Sequence, residues 1–592
     1  MLRTHTNNDL RSSDIGKTTT LCGWVDSRRD HGGIIFIDLR DRYGLTQIVF
    51  HPDFDKATHT AAAKLRREDV LQVTGTIKER AKGMKNANLA TGDIEVFIST
   101  LNILNSAEMP PMEVDDRKVP SEATRLKYRY LDLRRPAMQQ RLLTRHTTAQ
   151  ATREYFNSHN FIEIETPMLL KHTPEGARDY IVPSRVHPGK VYSLPQSPQL
   201  YKQTLMIAGF DRYYQLARCL RDEDLREDRQ PEFTQIDIEM SFVEEEDIIT
   251  MCEGLIKHIW KKAANKMLKT PFPRITYDEA VLKYGIDRPD MRFGLELSDV
   301  TSIVKDSDFK VFRDVVAKNG IVKCLNAQKA NFTRTQIEEC IEFAKKHGAA
   351  GLAWMKVTDK GLESNIAKFF SAAIQKQLIK QTNSKPNDVL LFVAEKPKRC
   401  NDVLSRLRLK LGEDLKLIDH DALHFVWVVD FPMFDYNEEE KRWDAMHHPF
   451  TSPKPEHRPY MSKDPGRVKA RAYDLVLNGI EIGGGSIRIS NPEIQREVLG
   501  LLGYNKEEQE QKFGFLLEAL KYGAPPHGGL AFGLDRLCAL LCGLHDIREV
   551  IAFPKTKAGE NPMDGSPSAW DDKYLKELHL ELDAVAKKNK DQ

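Results

Sequence analysis

Short runs of alternating apolar and polar residues crowd the first hundred positions. TLCGWVDSRR (20–29), IIFIDLRD (34–41), LTQIVF (45–50), DVLQVTGTIKE (69–79) and DIEVFISTLNIL (93–104) read as five strands punctuated by Gly, Asp and Asn. One helical stretch, KATHTAAAKLRRE (56–68), falls between the third and fourth. Five strands with a helix in that place predict an OB-fold β-barrel over 1–105. Proline and charge then take over and predict a hinge, 106–134. A helix follows at 135–159, with an apolar face through Leu142, Leu143, Ala149, Tyr155 and Phe156. FIEIETPMLL (161–170) reads as a strand ended by Pro167. The texture changes after 289, where short strands (KVFRDVVA, GIVKCLNA, LLFVAEK) alternate with helices and no dense polar cluster appears. The pattern predicts a multidomain α/β protein. An α+β domain, 290–420, interrupts a catalytic domain whose two parts are 135–289 and 421–592, the second including a C-terminal extension.

Composition narrows the class. The 592 residues carry 88 basic and 86 acidic side chains, net +2, with 41% hydrophobic and 29% charged residues, which excludes a disordered or polybasic chain. A nucleic-acid partner stays open, because a basic patch can be offset elsewhere. The cysteines are scattered with no Cys-x-x-Cys pair, which argues against a disulfide scaffold or structural zinc site. The N-terminal stretch lacks an apolar signal core and no segment suits a membrane span, so a cytoplasmic protein without membrane contact is expected.

Three polar clusters break the apolar pattern. In RCLRDEDLREDRQPEFTQIDIEMSF (218–242), strand-like ends flank a charged loop. Arg221, Glu223, Arg226 and Arg229 can surround a polyphosphate there, because guanidinium groups meet phosphate as planar forks. A solvated turn explains the loop equally well. It does not explain Gln235, Asp237 and Glu239, which share one face of the next strand at period two. In YDLVLNGIEIGGGSIRI (473–489), Asp474 and Glu481 stand in apolar surroundings, where paired carboxylates beside a nucleotide hold Mg²⁺. Gly483, Gly484 and Gly485 clear space for a flat ligand, and Arg488 follows them. In PPHGGLAFGLDRLCALLCG (525–543), Gly528, Gly529 and Gly533 mark a strand running into a helix that begins near Arg536. The chain has no GxxxxGK[ST] and no GxGxxG after its first strand. His447 and His448 are adjacent, and metal binding, structural hydrogen bonding and ligand contact all stay open for them.

Together these clusters resemble the class II aminoacyl-tRNA synthetases, and within them the bacterial-type aspartyl family, over almost the whole chain. RHTTAQATREYFNSHNFIEIETPML is similar to motif 1, the helix–strand step used for dimerisation. LRDEDLREDRQPEFTQIDIE is similar to motif 2, and GGLAFGLDRL to motif 3. TPEGARDYIVPSR and LPQSPQLYKQTLM resemble amino-acid-binding stretches, and the middle domain resembles the bacterial insertion.

The resemblance implies an aspartate–tRNA ligase that uses ATP as a substrate and Mg²⁺ as cofactor. L-aspartate is converted to aspartyl-adenylate and then transferred to the 3′ end of tRNA(Asp). It implies Arg221 at the α-phosphate and Arg536 at the γ-phosphate as the catalytic pair, with Glu223 holding the adenine amino group. Gln230, Glu481, Gly533, Leu534 and Asp535 complete the ATP contacts, and Asp474 with Glu481 form the metal pair. Lys202 and Arg488 are implied at the substrate's side-chain carboxylate. Asp237, Ser197 and Glu175 are implied at its ammonium, with Gln199 and Gln235 nearby and one of His447 and His448 closing over it. Anticodon contacts fall to Arg29, Phe36 and Gln47, although core packing also suits Phe36. His31 and Gly83 match the pattern of enzymes that also charge tRNA(Asn), which implies a link to a tRNA-dependent amidotransferase. A homodimer is implied through Phe156, Phe161, Ile162 and Ile164. The alternatives are a strict tRNA(Asp) enzyme, a tRNA-independent acyl-adenylate-forming enzyme and a non-catalytic RNA-binding paralogue. With no chemistry clustered in it, the insertion is expected to be dispensable for adenylate formation.

Overall fold

A computed structural model describes residues 1–173, 176–330 and 332–585. The chain forms two compact units, Met1–Thr144 with Arg548–Ala569, and Arg145–Ile547 with Trp570–Gln592.

In the first unit, β1 (Thr18–His31), β2 (Ile34–Arg40), β3 (Leu45–Phe50), β4 (Val70–Glu79) and β5 (Ile94–Asn105) close a barrel in the order β1-β2-β3-β5-β4. Helix α1 (Lys56–Ala62) connects β3 to β4, and Asp55 caps it by accepting from the Thr58 N–H at 2.7 Å. Strand alternation fixes the faces. Leu21, Val25, Ile35, Ile37, Leu39 and Ile48 fill the interior, so Phe36 stands half-buried on the outer face. Core packing is thereby excluded for it. Beyond the barrel, Asp132 is buried among Arg125, Arg129 and Arg135, each within 3.0 Å of its carboxylate. A buried carboxylate with three guanidinium partners is well compensated.

The second unit is built on one large sheet. Its elements are α2 (Pro136–Ser158, which begins in the first unit), β6 (Ile162–Glu163), α3 (Gln199–Ile207), β7 (Arg212–Leu220), β8 (Glu232–Ser241), α4 (Glu245–Ala264), β9 (Arg274–Thr276) and α5 (Tyr277–Tyr284). After the insertion come β15 (Phe425–Val429), β16 (Ala472–Leu477), β17 (Ile480–Ile487), β18 (His527–Gly533) and α10 (Leu534–Leu541). The sheet order is β9-β15-β16-β17-β18-β8-β7-β6, antiparallel through the centre. The insertion holds a second sheet of β10 (Leu297–Asp299), β11 (Ile321–Ala327), β12 (Ala353–Thr358), β13 (Gly361–Glu363) and β14 (Val389–Glu395), in the order β10-β11-β14-β12-β13. Two apolar clusters fill opposite sides of it, one under α9 (Pro397–Asp414).

Three expectations change. KVFRDVVA is a helix, Lys310–Ala317, because Phe312, Val315 and Val316 recur at helical spacing while Arg313 and Asp314 are exposed. The strand expected at 161–170 forms a ladder at Ile162–Glu163, parallel to Tyr213–Tyr214, and beyond Pro167 makes one isolated antiparallel bridge from Leu170 to Ser193. Pro167 has no N–H with which to extend that ladder. Helix α2 buries Thr144, Thr148, Ala151, Thr152 and Phe156, while Leu143 is exposed. Thr152 donates its hydroxyl to the Thr148 carbonyl at 2.8 Å, so a residue that reads as polar buries without an unmet donor.

Candidate active site and nucleic-acid face

The centre of the large sheet buries a chain of charges. On β8, Asp237 and Glu239 are 1% and 0% exposed and face the same side as Gln235. Lys202, from α3, reaches Asp237 at 2.9 Å and Glu239 at 3.2 Å. Arg488, just past β17, donates to Glu239 at 2.9 Å and 3.2 Å, so Glu239 sits between two cations. Burial pushes the Glu239 carboxyl up, but Arg488 and Lys202 together outweigh it and hold it below the ordinary range. Burial pushes Asp237 up to about 6, against the pull of Lys202. Gly529 is part of this design, since a Cβ there would lie 2.1 Å from Glu239 Oε2.

These groups wall a cavity of about 490 Å³. Ser197, Gln199, Lys202, Arg221, Glu223, Gln235, Asp237, His447, His448, Asp474, Glu481 and Arg488 all line it. Glu175 lies outside the described residues. The Gln199 side-chain N–H₂ is buried there without a partner among the described residues. The two histidines part company. His448 Nε2 is 2.6 Å from Arg488 Nη1, and its Nδ1 is 3.1 Å from the Phe450 N–H. A neutral imidazole has one acceptor for these two donors. His447 turns toward Asp474, at 3.9 Å, and packs edge-on against Phe431. Burial and then Arg488 lower both, His447 to about 4 and His448 well below its ordinary value, so both are neutral at pH 7.

Asp474 carries a second charge imbalance. Its Oδ1 is buried with no hydrogen-bond partner among the described residues. Burial, then Glu481 and Asp287, raises its carboxyl well above the usual range. A Cβ on Gly484 would sit 2.5 Å from Asp474 Oδ1, so that glycine makes room for a carboxylate rather than for a flat ligand. Clustered acids with an orphaned oxygen fit a divalent cation.

An adjoining cavity of about 250 Å³ is lined by Arg221, Glu223, Gln230, Phe233, Glu481, Gly533, Asp535 and Arg536. The Arg221 guanidinium lies 5.0 Å from the Phe233 ring centre, a cation–π contact that holds the arginine against the cavity wall. Glu223 pairs with Arg229 at 3.0 Å, and Arg536 lies 3.6 Å from Asp228. Two of the implied contacts look different here. The Leu534 side chain is buried in the core. Asp535 accepts from Arg145 and from the Thr234 N–H, which makes it a brace between α2, β8 and α10.

The barrel's outer face is open by contrast. Arg29 stands opposite Phe36 across β1 and β2 and donates to Asp38 at 2.9 Å. Gln47 donates to Glu95 at 2.7 Å. His31 meets the Phe36 ring edge-on, at 6.4 Å between centres. Gly83, in the β4–β5 loop, has φ +85° and no atom within 4 Å of a Cβ placed on it. Arg80 has a buried, unpartnered Nη2 among the described residues.

The family model for tRNA synthetases class II (D, K and N) matches residues 121–557, and the model for the OB-fold nucleic acid binding domain matches 19–104. The chain belongs to the class II tRNA synthetases (D, K and N). Relatives of this synthetase include the aspartate–tRNA(Asp/Asn) ligases of Geotalea uraniireducens and Caldanaerobacter subterraneus subsp. tengcongensis. The first is 54% identical over 579 residues and the second 52% over 582, each covering 98% of both chains. Among solved structures, Pyrococcus horikoshii asparaginyl-tRNA synthetase with asparaginyl-adenylate aligns at TM-score 0.59 and 19% identity, over 94% of this chain and 99% of that one. Entamoeba histolytica aspartyl-tRNA synthetase aligns at 0.57 and 20%, over 94% and 92%. At such identities these structures show the synthetase fold alone.

Sequence reasoning placed Glu239 on the right strand face but gave it no task. It missed Asp287 beside Asp474, and Arg80 and Glu95 at the barrel. The signal for Glu239 was its period-two step from Asp237. The other three lie in runs whose partners are distant in the chain.

Proposed function

We propose that the protein is an aspartate–tRNA(Asp/Asn) ligase that activates L-aspartate with ATP and transfers it to the 3′ end of both tRNAs. The observation that carries the amino-acid choice is the pair Lys202 and Arg488, both at most 4% exposed and both held on Glu239 at the cavity wall. An aspartate side-chain carboxylate placed there completes the pairing, while its ammonium is met by Asp237. It also gives Arg488 the acceptor that His448 cannot fully supply. Asparagine's neutral amide leaves a buried cation short, which is a strong basis for rejection.

Activation needs charge neutralised and groups aligned more than it needs a strong base. The substrate's α-carboxylate attacks the α-phosphate in line and pyrophosphate departs. Arg221 bridges the reacting carboxylate and the α-phosphate. Glu223 takes the adenine amino group, which requires Arg229 to leave it. Arg536 takes the γ-phosphate, which requires Asp228 to leave it. Asp474 and Glu481 would hold Mg²⁺, which would supply neutralisation of phosphate charge. The terminal ribose hydroxyl then attacks the aspartyl carbonyl and AMP leaves.

On the barrel, Phe36 stacks an anticodon base, and Arg29, Gln47 and Glu95 offer polar edges. Open space at Gly83 and a histidine able to donate or accept at 31 tolerate either third anticodon base. Ile162, Met168, Leu169 and Ile181 are exposed apolar residues at and after motif 1, and a second copy covering them makes a homodimer. Phe156 and Phe161 already pack on each other within one chain, 4.8 Å between centres, and contribute only indirectly. The deciding experiment is pyrophosphate–ATP exchange. It must depend on aspartate and stay at background with asparagine.

A further inference from the structure

The segment leading into the insertion lines the cavity that also holds Arg221 and Arg536. Behind the 250 Å³ cavity lies another of about 410 Å³, and the two share Asp228, Arg288, Glu481 and Arg536 as lining. Arg536 is engaged by the Glu481 carbonyl and by Asp228. Arg288 is exposed at this threshold, and its side chain has no hydrogen-bond or ion-pair partner among the described residues. Its neighbour Asp287 lines the aspartate cavity instead, so successive residues serve the two ends of the site.

The backbone that presents Arg288 is fixed from both sides. Pro289 and Asp290 are buried, and Asp290 is clasped by Arg292 at 2.7 Å. A Cβ on Gly479, where φ is +82°, would lie 3.1 Å from the Asp290 Cβ, so the segment rests directly on the turn that leads to Glu481. From the insertion, Arg408 of α9 donates to the carbonyls of Phe293, Gly294 and Leu295 at 2.8–3.1 Å. Its guanidinium also stacks 4.0 Å from the Phe293 ring centre. The insertion's own helix therefore sets the chain that carries Arg288.

We propose that Arg288 contacts the β,γ-phosphates of ATP, and equally free pyrophosphate, as a third arginine beside Arg221 and Arg536. The proposal rests on the reading of the site as an adenylate-forming centre. A planar cation with open donors, on a supported backbone and lining the same two cavities as Arg536, suits a polyphosphate. Arg288 itself precedes the insertion, which supports it through the Arg408 contacts to Phe293, Gly294 and Leu295.

The test titrates ATP, pyrophosphate and AMP, each with Mg²⁺, into the full chain and its R288A and R288K variants by calorimetry. For R288A, ATP and pyrophosphate binding should weaken about tenfold or more while AMP stays within about twofold, as expected for lost charge-assisted bonds. R288K should recover part of the loss. Parallel loss of AMP and ATP would make Arg288 a fold support only, and unchanged ATP binding would remove it from the site; either result overturns the proposal. Exchange assays on the same proteins separate the two claims. An intact ATP-against-AMP split with no aspartate-dependent exchange in the wild type would sink the aspartate reading and leave the phosphate contact standing.

Discussion

The aspartate cavity and the barrel's outer face use the same kind of pair under opposite conditions. Arg488 meets Glu239 at 2.9 Å with side chains 2% and 0% exposed, whereas Arg29 meets Asp38 at 2.9 Å with 47% and 17% exposed. Breaking a buried pair leaves an uncompensated charge and costs about 3–5 kcal/mol. An open pair is screened and contributes about 0–1 kcal/mol. On the proposed reading, the synthetase chooses its amino acid where an error is expensive and its anticodon where an error is cheap. One amino acid and two tRNAs fit that asymmetry.

The sharpest break is Arg488→Ala. It should lower aspartate-dependent exchange by about two to four orders of magnitude and also lower thermal stability, because Glu239 loses its main partner. Exchange within tenfold of wild type would show that the buried pair does not read the substrate. Next, Arg536→Ala should slow adenylate formation by about two to three orders in single-turnover assays, with the fold intact by circular dichroism. Near-normal activation would remove it from the phosphate site.

A titration sharpens the contrast further. His447 is lowered to about 4 from an ordinary 6.5, chiefly by burial. Between those values the unfolded chain binds the extra proton, so stability rises with pH there and is lost as pH falls toward 4. The slope is about 1.4 kcal/mol per pH unit for one histidine. Asp237, raised to about 6, works in the opposite direction. The difference between wild type and His447→Gln in urea midpoint against pH isolates the histidine. A flat difference curve from pH 4 to 6.5 would contradict its burial as a neutral ring.

The smallest effect belongs to the barrel. His31→Leu with Gly83→Lys should shift the tRNA(Asp)/tRNA(Asn) ratio by about 1–3 kcal/mol toward tRNA(Asp). Part of any stability loss will come from forcing a side chain into φ +85° at 83. An unchanged ratio would take both residues out of anticodon choice.

The same contrast explains what could be read in the sequence. The barrel strands were legible almost to the residue, because period-two alternation around Ile35, Ile37 and Leu39 is a local signal. Asp237 and Glu239 were legible for the same reason. Arg408 and Asp287 were not, since their neighbours are carbonyls and a carboxylate far along the chain, and Arg288 was not, since the Gly479 turn supports its segment at Asp290. Helix α2 misled because Thr144, Thr148 and Thr152 are buried while Leu143 is exposed, a pattern set by what packs against the helix.

The central claim is strict amino-acid choice joined to relaxed tRNA choice. The direct measurement is a charging matrix, with labelled aspartate and asparagine each offered to tRNA(Asp) and tRNA(Asn) transcripts. The account predicts aspartate on both tRNAs, with kcat/KM values within about a thousandfold of each other, and no asparagine on either. Charging with asparagine, or aspartate confined to tRNA(Asp) beyond that margin, would contradict it.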